Sequence, residues 1–440
     1  MSAASKCDVV VLGLGVGGEE VAGRLAEAGL SVVGIEGRLV GGECPYYGCI
    51  PSKMMIRAAN LLAEARRIPG MAGAAQATPD WGPVHARLRD EATDDWNDRV
   101  AVERLVRKGV RFVRGWGRIV APGRVAVGDE EFEAARGVVV GTGTKAVIPP
   151  IEGLRDTPLW TNKEAIEAAA LPDSLVVLGG GAIGLELAQA FARFGVQVTV
   201  IEALDRLLAL EEPEASKLVT EALAVDGVQV FTGAPAKQVS YVDGRFHVML
   251  DDVGVEADRL LVATGRRPDL SAIGLDSLSV DERMRAGEKL WAVGDVTGRG
   301  AFTHVAMYQA GIVIRDILGQ DGPAADYRAL PRVTFTDPEI ASVGMTEAQA
   351  RKALPNVQTG QSNDSTRVWI HRGEELIKVV ADADRGVLVG ATAAGPAGGE
   401  VLSALTVAIH GEVPIERLIH MMYAYPTFHR GIQTALKSLA

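Results

Sequence analysis

An α/β chain with two separate doubly wound sheets and a C-terminal α+β unit is predicted by three observations. Near the N-terminus a short apolar strand, a glycine-rich turn, a helical stretch and a second strand ending in an acid follow one another. The same series returns near the middle of the chain. The last third mixes strand-like and helical segments instead, which is the pattern of an α+β unit. At 440 residues there is length for two or three domains, each with its own core.

The first series runs from an apolar strand at 8–12 into Gly13-Leu-Gly15-Val-Gly-Gly18, a helical pattern over 19–28, and a second apolar run, 30–35, that ends in Glu36. Gly13, Gly15 and Gly18 let the backbone turn tightly, approach a pyrophosphate and pack helix on strand, so that the helix N-terminus faces the phosphates. Glu36 lies 23 residues after Gly13, where it can accept a hydrogen bond from a ribose 2′-hydroxyl. Next comes GGECPYYGCIPSK, residues 41–53. In a regular helix Cys44 and Cys49 would sit ~8.7 Å apart at Cα, and a disulfide tolerates no more than about 7 Å. Either the segment is a distorted turn that closes a strained, reducible disulfide, or the two cysteines are unrelated. Cys7 is the only other cysteine. So sparse a set disfavours a structural disulfide, and a zinc site would need two further ligands that are not nearby. No metal site is expected.

The second series has a strand at 174–178, the turn Gly179-Gly-Gly181-Ala-Ile-Gly184, a helix over 185–194 and a strand at 196–201 that ends at Glu202. Glu202 follows Gly179 by 23 residues, the offset of the first copy. Two copies imply two dinucleotides, and a redox pair beside the first places flavin there and nicotinamide at Gly179, Gly181 and Gly184. A carboxylate at Glu202 repels a 2′-phosphate and favours NADH over NADPH, although Arg206 is only four residues on.

The formal charge of −11 argues against nucleic acid or an anionic membrane as partner. No long apolar run precedes Gly13, so no secretory leader is expected. The most apolar stretch, 174–201, is broken by Gly179–Gly181, Glu186 and Arg193, which excludes a span of ~20 apolar residues. A soluble, cytoplasmic protein is expected. The charged stretch 87–103 reads as one long solvated helix.

Further motifs complete a pattern: Val140-Gly-Thr-Gly143, Ala263-Thr-Gly265, Leu290-Trp-Ala-Val-Gly-Asp295, Phe335-Thr-Asp-Pro338 and Val343-Gly-Met-Thr346. With the two fingerprints and Gly48-Cys-Ile-Pro-Ser-Lys53, the chain resembles the class I flavoprotein disulfide reductases, the family of dihydrolipoamide dehydrogenase, glutathione reductase and mercuric reductase. The resemblance covers nearly the whole length. With Pro149-Pro150, Gly153 and Thr264-Gly265 as punctuation, it implies an FAD-binding domain from 1–147 and 265–322. An NAD(P)-binding domain spans 148–264, and a dimerisation domain over 328–440 implies a homodimer. It further implies that Cys49 is the flavin-proximal thiol, Cys44 the interchange thiol, and the two a redox-active disulfide. Lys53 would approach the flavin with Glu186 as its ion-pair partner. Asp295 would bind the ribityl chain, Gly42, Thr142 and Gly143 would lie on the FAD side, and Gly265 on the NAD side.

The C-terminus departs from the family. Its His-Pro-Thr-x-x-Glu segment, whose histidine shuttles protons for the thiols, reads Tyr425-Pro-Thr-Phe-His429-Arg430. Tyrosine titrates near ~10 and histidine near ~6.5, so Tyr425 is a poor shuttle at neutral pH, and general acid–base help is worth about 10² to 10⁴ in rate. His429 is either a displaced shuttle or a polar interface residue. Mercuric reductase has a Tyr at this position but adds a C-terminal cysteine pair, and no cysteine follows Cys49 here. Glu43 replaces a small hydroxyl residue at the mouth of the pair, and Tyr46 and Tyr47 either stack on a flat acceptor or pack inward. The leading expectation is an NADH-dependent flavoenzyme that reduces a disulfide or oxidises a dithiol. The alternative is an NADH dehydrogenase toward quinones or other non-thiol acceptors, and a third is a flavin and disulfide redox sensor.

Overall fold

The computed structural model describes residues 4–440, and residues 1–3 of the N-terminal stretch read above lie outside the described residues. The chain divides into two compact units. One comprises residues up to 54, 85–147 and 265–326, and the other 55–84, 148–264 and 327–440.

The first unit is built on an eight-stranded sheet. Its centre is β1 (Ser5–Leu12), with Val9, Val10 and Val11 wholly buried. Such a near-continuous apolar run belongs to a strand covered on both faces. A left-handed turn at Gly13 (φ +90°) leads into α1 (Val16–Glu27) and on to β2 (Val32–Glu36). β1 pairs in parallel with β2 on one side and with Glu130–Val140 on the other, and Arg111–Arg114 extends the sheet beyond β2. Leu290–Ala292 runs parallel to Glu130–Val140, so Asp295 follows the end of a parallel strand. Ligands of open α/β sheets gather at such strand ends.

The segment 41–67 forms two helices, α2 (Glu43–Tyr46) and α3 (Cys49–Arg67), broken at Tyr47 and Gly48. A Cβ at Gly48 would sit 3.1 Å from the Glu43 carbonyl, so a side chain there would crowd the turn. The segment is therefore a broken turn and not one regular helix, and its two cysteines are free thiols in this structure. The reading of 87–103 as one long helix does not. Gly82–Arg87 is α-helical, Leu88–Ala92 is a π-helical turn, and Asp94, Asp95 and Trp96 all take left-handed backbone (φ +49°, +55°, +53°) before helix Arg99–Arg107 begins. The Thr93 hydroxyl donates to the Leu88 and Arg89 carbonyls and closes off the first piece. Asp98 is buried rather than solvated, accepting from the Val40 amide at 2.8 Å and pairing with Arg114 at 2.5 Å.

In the second unit a four-stranded parallel sheet carries β3 (Ser174–Leu178), followed by α4 (Ala182–Arg193) and β4 (Gln197–Ile201). β3 pairs with β4 and with Arg259–Val262. A three-stranded meander over 238–257 lies beside it in sequence. Residues 331–395 form a five-stranded antiparallel sheet with helices Gly398–His410 and Gly431–Lys437 packed on it around Val379, Leu405 and Ile432. Among the described residues no helix is long and apolar enough to cross a membrane.

Candidate active site

The two glycine turns are alike in detail. A Cβ at Gly13 would meet the Gly141 carbonyl at 2.7 Å, and one at Gly18 would sit 2.0 Å from the Gly13 oxygen. In the second copy a Cβ at Gly179 would meet the Ala263 oxygen at 2.5 Å, and one at Gly184 the Gly179 oxygen at 2.3 Å. The middle glycines differ in kind: a Cβ at Gly15 would have only the Gly141 oxygen, at 3.8 Å, and one at Gly181 nothing within 4 Å. The outer glycines are thus required by helix-on-strand packing, and the middle ones leave open space at a helix start. Gly15 and Gly181 cap α1 and α4 without any side-chain hydrogen bond, leaving first-turn amides for phosphate oxygens. The residues present fit two dinucleotides.

The two acids are held identically. Glu36 accepts from the amides of Leu14 (2.8 Å) and Arg38 (2.7 Å), and Glu202 from those of Gly180 (2.6 Å) and Leu204 (2.7 Å). Arg206 donates through Nη2 to the carbonyls of Ala209 and Glu211, while among the described residues its buried Nη1 has no partner.

Cys44 and Cys49 are both free thiols, each hydrogen-bonded to the other. Cys49 is the first residue of α3, and its Sγ lies 3.4 Å from Thr303 Oγ1. The hydrogen bond from Cys44 is the main reason Cys49 is drawn down to about 5. Thr303, the Lys53 ammonium and its own amide help, against an opposing desolvation. The same hydrogen bond, and then burial, push Cys44 up. The shared hydrogen bond thus favours the charged form of Cys49 and the neutral form of Cys44. Exposure does not order the pair in the same way, since Cys49 is exposed and Cys44 half-buried.

Around them the structure adds residues that sequence reasoning missed. Thr303 stands 254 positions from Cys49 with no local signal. Glu43 pairs with Arg266 at 3.5 Å, which answers the charge introduced at the mouth of the pair. Arg266 in turn donates to the Thr144 hydroxyl (3.0 Å) and carbonyl (2.8 Å), and Thr144 donates to Asp295 Oδ2 at 3.0 Å. Burial pushes the Asp295 carboxyl above its ordinary range, partly offset by Thr144 and Arg266. Both Thr144 and Arg266 directly follow the glycines of the two chain crossings, Gly143 and Gly265, and that adjacency was the available clue. Tyr46 is buried, with its carbonyl accepting from the Trp96 indole, so it packs inward rather than facing an acceptor.

Glu186 is buried in α4 and accepts from the Phe335 amide at 2.8 Å. At the C-terminal segment the exposed Tyr425 hydroxyl reaches Thr366 Oγ1 at 3.4 Å, and the Arg430 guanidinium lies 5.8 Å from the Tyr425 ring centre. His429 Nε2 lies 3.4 Å from Thr427 Oγ1. Among the described residues no cluster of three or more His, Cys, Asp or Glu side chains could hold a metal ion.

Comparison with known proteins decides the family. The profile described as pyridine nucleotide-disulphide oxidoreductase matches residues 7–310, and that of the family's dimerisation domain matches 330–436. The chain belongs to the pyridine nucleotide-disulphide oxidoreductases. It is 31% identical to a mercuric reductase of Acidithiobacillus ferrooxidans over 98% of this chain and 82% of that one. It is 32% identical to a dihydrolipoyl dehydrogenase of Haloferax volcanii over 99% and 96%. The crystal structure of LpdA from Mycobacterium tuberculosis superposes with a TM-score of 0.84 at 26% identity, covering 99% of each chain. As a pyridine nucleotide-disulphide oxidoreductase the protein is a flavoprotein with Rossmann-like FAD and NAD(P) regions and a dimerisation domain.

Proposed function

We propose that this oxidoreductase draws electrons from NADH and delivers them through the Cys44–Cys49 pair to a disulfide. The observation that carries this reading is the pair of free thiols at the broken turn before α3, with Cys49 opening the helix and its Sγ 3.4 Å from Thr303 Oγ1, inside the family match over 7–310. The same surroundings draw Cys49 down and push Cys44 up. Bound FAD and nicotinamide supply the two-electron relay that reduces a Cys44–Cys49 disulfide to the dithiol. Gly15 and Gly181 would leave space for their phosphates, Glu36 and Glu202 would meet their riboses, and Asp295 with Thr144 would hold a hydroxylated chain. Cys49 stays charged beside Lys53 and Thr303. Cys44, once deprotonated, attacks one sulfur of the acceptor and releases the first thiolate. The Cys49 thiolate then attacks the Cys44 sulfur, releases the second and restores the Cys44–Cys49 disulfide. Two released thiolates take up two protons; Tyr425 stands where the family keeps its acid, and His429, four residues on, is the displaced candidate.

Preference for NADH rests on Glu202, whose carboxylate is fixed by two amides, and on Arg206, which its own loop carbonyls hold. A second reading, transfer to quinones or other non-thiol acceptors, is favoured by Tyr425 and Arg430 standing where His and Glu would be. A steady-state screen separates the two. NADH is offered with lipoamide, oxidised low-molecular-weight thiols, quinones and mercuric ion, on the wild type and on Cys44→Ser and Cys49→Ser. Disulfide turnover that both substitutions abolish supports the first reading. Quinone turnover indifferent to both, with no disulfide turnover, overturns it.

A further inference from the structure

Within the second unit, the loop that leads from Glu202 to helix Pro213–Val225 is tied to the five-stranded C-terminal sheet. Arg332, on strand Pro331–Thr334, grips the Glu211 carboxylate through both Nε (2.6 Å) and Nη2 (3.1 Å). The next residue, Glu212, accepts from Lys378 Nζ at 3.0 Å and from the Glu347 amide at 2.6 Å. A bidentate pair fixes the orientation of its partner as well as its distance. The far end of the loop is thus set by a residue 121 positions away.

The near end is the second glycine turn itself. A Cβ at Gly180 would sit 2.6 Å from Leu207, and the Leu208 amide donates to the Gly180 carbonyl at 2.9 Å. Leu208 takes left-handed backbone (φ +45°), an uncommon state for a bulky residue that persists only where the surroundings impose it. Between the two ends, Arg206 Nη2 donates to the carbonyls of Ala209 (2.8 Å) and Glu211 (3.0 Å). Arg332 therefore holds the side chain of the residue whose carbonyl holds Arg206. Among the described residues the buried Nη1 of Arg206 has no partner. A guanidinium left partly unsatisfied gains from any oxyanion it can reach, and Arg206 is four residues from Glu202.

We propose that Arg332 is a positioning residue for coenzyme choice: through Glu211 it keeps Arg206 on the loop carbonyls and off a 2′-phosphate. The inference rests on the coenzyme reading of Glu202 given above.

Calorimetric titration of the FAD-loaded enzyme with NADP⁺ and with NAD⁺ tests it without turnover. Glu211→Gln combined with Arg332→Gln removes the pair and leaves no stray charge. NADP⁺ should bind this double variant about fivefold tighter, or more, than it binds the wild type, with a smaller change for NAD⁺. Adding Arg206→Gln should erase the gain. Arg332→Lys alone, which keeps the charge but loses the fork, should shift NADP⁺ in the same direction by less. Tighter binding is a change that misfolding cannot produce. NADP⁺ affinity that rises in neither variant, or a rise that survives Arg206→Gln, overturns the proposal. A wild type that binds NADP⁺ as tightly as NAD⁺ would instead sink the NADH reading, because the inference is read only from the shift between variant and wild type.

Discussion

Three neighbours make Cys49 acidic: the Cys44 thiol, the Thr303 hydroxyl and the Lys53 ammonium. Because its pKa is lowered from 9.0 to about 5, the thiolate is present above that value and lost as pH falls through it. Iodoacetamide should therefore alkylate Cys49 of the reduced enzyme at a near-constant rate from about pH 8 to about pH 6, with the rate falling near pH 5. Thr303→Val should move that midpoint upward, and mass spectrometry assigns the site. A wild-type midpoint near that of an ordinary thiol would remove the physical basis of the proposed chemistry. Glu202 offers a second test at this scale. Stopped-flow reduction should be faster with NADH than with NADPH, and Glu202→Ala should narrow the gap. NADPH matching NADH in the wild type would show that the acid is not read by the ribose.

At the scale of elements, the strand–turn–helix units make a prediction about which glycine does what. A Cβ at Gly184 would lie 2.3 Å from a backbone oxygen, whereas one at Gly181 meets nothing within 4 Å. Gly184→Ala should cost on the order of 1–3 kcal/mol of stability through overpacking, measured by denaturant unfolding. Gly181→Ala should leave the midpoint in place and weaken NADH binding instead. Equal loss of stability in both would contradict the division of labour. These units were legible in the sequence because glycine spacing and apolar runs are local signals. The break inside 87–103 was not, since nothing in Asp94-Asp-Trp96 announces three left-handed residues, the last a bulky one whose indole is held by the Tyr46 carbonyl. Nor was the Glu43–Arg266 pair, whose partners only the folded crossing brings within 3.5 Å.

At the scale of the whole molecule, the dimerisation-domain match leads to an expected light-scattering mass near twice 46.4 kDa, in a yellow protein. A colourless monomer that takes up no FAD would end the functional reading. Within the second unit, Lys378 is buried in a strand that reads as apolar, with carboxylates of Glu212, Glu214 and Glu347 at 3.0, 2.9 and 2.8 Å. Removing one member of such a buried group is worth about 3–5 kcal/mol, so Lys378→Met should lower unfolding stability by that order. Glu347 is held below its ordinary range by Lys378 first and Arg351 next. A depressed carboxyl contributes stability that is present above the ordinary value of 4.5 and lost as pH falls through its lower folded value. The wild type should therefore lose more stability on acidification than Lys378→Met does. Equal acid sensitivity would show that the group does not couple to folding.

The matched clamps at Glu36 and Glu202 have a bearing on how such a chain can be re-engineered. Each acid grips the residue after its own first glycine and the residue two places beyond itself, so each half carries its own clamp. On the ribose role proposed for Glu202, coenzyme choice should be open to rewriting in one half as an interchangeable part, with edits at 202–206 expected to retune the nicotinamide side and leave the flavin side at its setting.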